Sequence, residues 1–106
     1  MIPMRGESEY EAVVDRLWQE HLAATFPAGS RGAELAGHDL VMLDADVAGC
    51  VSTWRGNGGS LDARRHQVLY RRIAALEKVL PLLTDTEELR YFRRLRQLAV
   101  LTAEAG

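Results

Sequence analysis

Asp44 and Asp46 are the residues of this chain whose spacing most invites chemistry, because they stand two apart directly after the apolar run Leu40-Val-Met-Leu43. At the tip of a buried strand, two such carboxylates could share nucleophilic and metal-holding work. On a helix they diverge, with Asp46 facing solvent and Asp44 at the edge of the apolar stripe. An acid there is costly to bury unless paired. Asp44 is therefore expected to be partly buried and bonded to an arginine of a later helix. Downstream, Gly56-Asn-Gly-Gly-Ser60 has the look of a loop that cradles phosphate at a helix N-terminus. It lacks the preceding strand and the Lys-Ser/Thr pair that a phosphate loop carries, and a helix-helix turn explains the same residues. Asp44, Trp54, Arg55 and Asn57 together form the candidate binding or structural polar site.

The remaining candidates are weaker. His21, His38 and His66 are far apart in sequence, and none pairs with a His or Cys at ligand spacing. No metal and no cofactor is expected. His21 falls on an apolar helix face, where a hydrogen-bonded core histidine is the ordinary outcome. Cys50 is the only cysteine, so no intrachain disulfide can form, and its place in an apolar stripe marks a small core residue. No Ser-His-Asp or Cys-His arrangement emerges, and no residue is assigned a catalytic role.

Two resemblances follow from these residues. Val41-Met-Leu-Asp44-Ala-Asp46 is similar to the opening motif of haloacid-dehalogenase-type phosphatases, which implies an Asp nucleophile and magnesium. It covers six residues, Val47-Ala48 replace that family's Gly-Thr, and the 60 residues that remain read as helices rather than a doubly wound sheet. The longer stretch Leu40 to Asp62, LVMLDADVAGCVSTWRGNGGSLD, resembles a family of small proteins from GC-rich bacteria. There a similar Leu-Asp-x-Asp-x-Ala-Gly-Cys segment precedes a Gly-Gly-x-Leu-Asp turn. Val79-Leu-Pro-Leu-Leu83 and Tyr91-Phe-x-Arg-Leu95 extend the likeness to about half of the chain. No activity is implied.

Four helices must position these residues. Tyr10, Val13, Val14, Leu17, Trp18 and His21 follow one helix face, in a helix from about Glu9 to Thr25. Ser8 and Glu11 have capping-box spacing, and Pro27 and Gly29 end the helix. The glycine-bearing stretch 30–38 reads as a loop with one helical turn. In the second helix, Asp39 to Arg55, the residues Leu40, Leu43, Val47, Cys50, Val51 and Trp54 fall within an arc of roughly 120°. Asp39 is its N-cap, Gly56 its stop, and Gly49 a point for close approach of a neighbour. Ser60 caps the third helix, which ends near Val79 because Pro81 follows. Thr84 and Glu87 form a capping box for the fourth, about Asp85 to Ala103, antiparallel to the third.

The fold class expected is all-α: an irregular antiparallel bundle of four main helices, with no sheet, in one domain spanning residues 1–106. Composition agrees, with 47% hydrophobic and 26% charged residues as in ordinary globular proteins. No apolar run approaches the about 18 residues of a membrane span, and no export signal opens the chain, so a cytoplasmic setting is expected. Arginine supplies all cations but Lys78, which suggests a GC-rich bacterial source. Residues 1–54 hold three cations against nine acids, a net −6; residues 55–106 hold ten against six, a net +4. An arginine-rich half could bind nucleic acid, but a pI near 5.9 is low for such a module. The two halves can neutralise one another instead.

Function therefore points first to a non-enzymatic protein-interaction module, binding itself as a homodimer or another protein. The aromatics Trp18, Phe26, Trp54, Tyr70, Tyr91 and Phe92 supply interface-type side chains. A small-ligand site near Trp54 and the glycine loop is the second reading. Anion or nucleic-acid binding by the arginine-rich third and fourth helices is the third.

Overall fold

The computed structural model describes residues 5–105. It has four helices: α1 (Arg5–Ala23), α2 (Leu40–Gly56), α3 (Ala63–Val79) and α4 (Thr86–Ala105). The all-α expectation holds. α1 begins before Ser8, so that residue lies inside the helix rather than at its cap, and its side chain lies outside the described residues.

A sheet is nevertheless present. Glu34–Leu35 (β1) and His38–Asp39 (β2) pair antiparallel, with Leu35 opposite His38. Ala36 and Gly37 both have positive φ, 53° and 81°, as a two-residue type I′ hairpin turn demands. The expected loop with a helical turn is thus a 3₁₀ turn at Ala28–Ser30 followed by this small hairpin. The hairpin feeds directly into α2, where Asp39 accepts from the Met42 backbone N–H at 3.0 Å and serves as the expected N-cap.

Other helix ends differ by one or two residues from the sequence reading. Asp62, not Ser60, caps α3, accepting from the Arg65 N–H at 2.8 Å. Ser60 instead donates to the Asn57 carbonyl. Asp85, not Thr84, receives the Glu88 N–H at the start of α4. Gly56 is the last helical residue of α2 and Asn57 its C-cap, and the chain reverses through Gly58 and Gly59, with φ of 68° and 93°. Gly49 is exposed, and a Cβ there would meet nothing within 4 Å. No neighbouring helix approaches it, so the close-approach reading fails.

α4 packs against each of the other three helices. Tyr10 reaches Glu104 and His21 reaches Tyr91, so α1 runs antiparallel to α4. Arg96 reaches Glu77, so α3 does the same. Cys50 reaches the Arg65 carbonyl and Arg72 reaches Asp46, which sets α3 antiparallel to α2. The core comprises Val14, Leu17, Leu43, Val47, Val51, Leu69, Leu76, Phe92, Leu95 and Leu98 among its members. The helix faces predicted from periodicity are the buried faces. Among the described residues no helix is long and apolar enough to cross a membrane.

Candidate functional site

Asp44 lies where three helices meet. The Nε2 of His21 on α1 stands 2.9 Å from its Oδ1, and the Tyr91 hydroxyl of α4 donates to its Oδ2 at 3.0 Å. His21 and Tyr91 are each 6% exposed, and the Asp44 side chain 21%. The expectation of a partly buried, paired Asp44 holds, but its partners are not arginines. The arginine pairing belongs to Asp46, whose Oδ2 lies 2.9 Å from the Arg72 Nε. Asp46, expected in solvent, is thus half-buried in the groove toward α3. Helix geometry explains the exchange: the two carboxylates point about 200° apart, one toward α1 and α4, the other toward α3.

The rings around Asp44 are layered. His21 stacks on Trp18 at 5.9 Å between centroids and tilts against Tyr91 at 4.9 Å. Phe26 sits edge-on to Tyr91 at 5.3 Å. Burial first, then the charge of Asp44 and the hydrogen bond to it, push the Tyr91 phenol well above its ordinary value. A phenol held neutral, locked to a carboxylate and buried, is a poor proton shuttle. The cluster joins α1, α2 and α4 through their polar groups, and its geometry is that of a structural network.

Trp54, Arg55 and Asn57 occupy the other end of α2. Ten residues of helix separate Asp44 from Trp54, about 15 Å along the axis. The four candidate residues do not form one site. Trp54 is 3% exposed, and its indole Nε1 is buried without a hydrogen-bond partner among the described residues. Arg55 pairs with Asp15 of α1, Nε to Oδ1 at 2.9 Å. Asn57 is exposed and contributes its backbone N–H to the Thr53 carbonyl.

Cys50 is buried, its thiol directed at the Arg65 carbonyl at 3.7 Å. Burial raises its pKa, only partly offset by the charge of Arg65, so thiolate chemistry is suppressed. Among the described residues no three His, Cys, Asp or Glu side chains converge as metal ligands.

A further surface lies on α4, among the arginines that the sequence offers as anion or nucleic-acid contacts. Arg90, Arg93, Arg94 and Gln97 recur at i, i+3, i+4 and i+7 and line an open groove of about 600 Å³ beside α1, floored by Leu17 and Leu89. On the opposite side Arg90 and Arg94 border a second groove, of about 430 Å³, with Phe26 and Tyr91. The Arg94 guanidinium lies over the Tyr91 ring at 5.6 Å, as cation–π contacts do. The same spacing sets these arginines beside the buried face of α4, formed by Tyr91, Phe92, Leu95, Leu98, Ala99 and Thr102.

Comparisons with protein-family models, with curated proteins and with solved structures find no match to this chain.

Proposed function

We propose that this protein is a non-enzymatic protein-interaction module that works through the arginine-bearing face of α4. The observation that carries the reading is the grouping of Arg90, Arg93 and Arg94 on one face of α4 beside Leu17, Leu89, Phe26 and Tyr91. Arg55, Arg65, Arg72 and Arg96 each have a carboxylate within 4 Å. Arg90, Arg93 and Arg94 have none among the described residues, as is also true of Arg16, Arg31, Arg64 and Arg71, but they stand together in two groove walls that also hold Glu20 and Glu87. Guanidinium groups beside leucine and aromatic surface are the composition of an interface, where arginine and aromatics concentrate. The partner is a protein surface presenting carboxylates with apolar neighbours. A second copy of the chain qualifies, because residues 1–54 carry the net −6. A cytoplasmic setting fits a single cysteine held reduced and buried.

Light scattering across a salt series tests the self-partner, and titration with a fluorescent peptide of alternating Glu and Leu tests the foreign one. Expected is salt-sensitive association in at least one experiment, lost on combining Arg90→Glu with Arg93→Glu while the helical circular dichroism persists. A salt-independent monomer that also ignores the peptide ends the proposal. A duplex-DNA shift stronger than the peptide binding transfers the face to nucleic acid.

A further inference from the structure

The hairpin that joins α1 to α2 is strained at its tip. Ala36 has a φ of 53°, and a residue with a side chain adopts that left-handed backbone only at a cost. This turn also divides the chain into two parts that meet through side chains. On one side lie residues 5–35, whose partners are chiefly on α4. Tyr10 reaches Glu104, Phe26 packs edge-on against Tyr91 and Phe92, and Ser30 donates to the Glu88 carboxylate at 2.7 Å. Asp15 and His21 reach Arg55 and Asp44 of α2. None of these contacts requires both parts to belong to one chain. We propose that two copies of this chain exchange residues 5–35, with the hairpin opened into a strand that pairs across the dimer.

The register permits the exchange without loss of a pair. Within one chain Leu35 lies opposite His38 and Glu34 opposite Asp39. The Leu40 N–H donates to the Ala33 carbonyl at 3.1 Å and continues the same ladder. All three pairs are centred between Ala36 and Gly37. Laid antiparallel on its copy about that centre, the opened segment keeps each pair, now between chains, and adds Ala36 opposite Gly37. A two-fold axis through the centre relates the copies, which closes the assembly at a dimer.

The strain decides the direction. In the opened segment Ala36 is extended, so the left-handed conformation is relieved in both chains. Ala36 and Gly37 are exposed, so the ladder lengthens away from the helices. Each four-helix body is rebuilt with α1 from one copy and α2, α3 and α4 from the other. A short hinge loop under strain is where such exchange begins.

The exchange does not depend on the arginine face of α4. To test it, the chain is unfolded in urea, refolded at increasing protein concentration and separated by size. Expected is a dimer whose fraction grows with concentration and persists in high salt. Dimers refolded from an equal mixture of isotope-labelled and unlabelled chains should show, in isotope-filtered NMR, contacts between His21 of one chain and Tyr91 of the other. Ala36→Asn supplies the Asn-Gly pair that the closed turn favours, and should lower the dimerisation constant about tenfold or more. Gly37→Ala adds a second strained residue to the closed turn and should raise it. A chain that stays monomeric at every concentration overturns the proposal, as does an unchanged constant in Ala36→Asn. A dimer without the interchain His21–Tyr91 contact, lost on combining Arg90→Glu with Arg93→Glu, belongs to the arginine face and overturns the exchange.

Discussion

Asp44 joins three helices through two oxygens, so its removal affects two buried partners at once. Asp44→Ala takes the carboxylate from both the Tyr91 hydroxyl and the His21 ring, leaving them only their weak mutual contact at 3.4 Å. A loss of about 1–3 kcal/mol is expected, the desolvation penalty of an unmet buried group, read as a shift in the urea midpoint. Asp46→Ala removes only the half-exposed Arg72 pair and should lose about 0–1 kcal/mol. The same cluster sets an alkaline limit. Tyr91 ionises in the unfolded chain near its ordinary value of about 10, and well above it in the folded protein. Between those values the unfolded state holds fewer protons, so stability falls as pH rises. The Tyr91 contribution is fully present below about pH 10 and lost progressively above it. Tyr91→Phe should flatten that part of the profile, measured as urea midpoints through the alkaline range. The sequence announced that Asp44 needed a partner, because it stood on an apolar stripe. It could not name the partner, since that depends on which helices flank each side of α2. Three polar groups on three apolar faces, His21, Asp44 and Tyr91, were nonetheless a signal that they meet.

The helices themselves were legible because their apolar spacing is long and regular, and α2 was readable as a helix despite its strand-like start. Their ends were less so. Before both α3 and α4 the chain offers two capping residues within two positions, Ser60 and Asp62, then Thr84 and Asp85. Spacing rules accept either, and the winner is set by where each apolar face must meet the core. Asp85→Ala should therefore lose about 0.5–2 kcal/mol, while Thr84→Ala changes stability by less than about 0.5 kcal/mol, both from thermal melts. The hairpin was invisible for a different reason. Its strands are two residues long, too short for any alternation to register. Its turn also places an alanine where glycine or asparagine is usual. Ala36 at φ 53° bears a left-handed strain of about 1–2 kcal/mol, so Ala36→Gly should raise the melting temperature. Gly49→Ala should raise it as well, by up to about 1 kcal/mol, because open space surrounds that position on α2.

At the scale of the molecule, α1 and α3 differ in how firmly they are held. α3 packs extensively on both α2 and α4, whereas the extensive contacts of α1 are with α4 alone. Amide exchange should accordingly be faster in α1 than in α2, α3 and α4, with α1 opening as a unit below the global unfolding energy. Uniform protection across all four helices would contradict that arrangement. Phe92, fully buried on α4 and in edge contact with Phe26 and Tyr91, belongs to the global unit. Phe92→Ala should remove about 3–5 kcal/mol, a large share of the stability of an ordinary domain, read from the urea midpoint. The central position of α4 also has a meaning during synthesis. A ribosome working from the N-terminus produces three amphipathic helices before it produces the one on which they all pack. At about 5–20 residues per second, the apolar faces around Val14, Val47 and Leu76 wait on the order of seconds for residues 86–105. Throughout that interval the nascent chain is a substrate for chaperones, and a message truncated after residue 83 would encode an aggregation-prone product rather than a smaller domain.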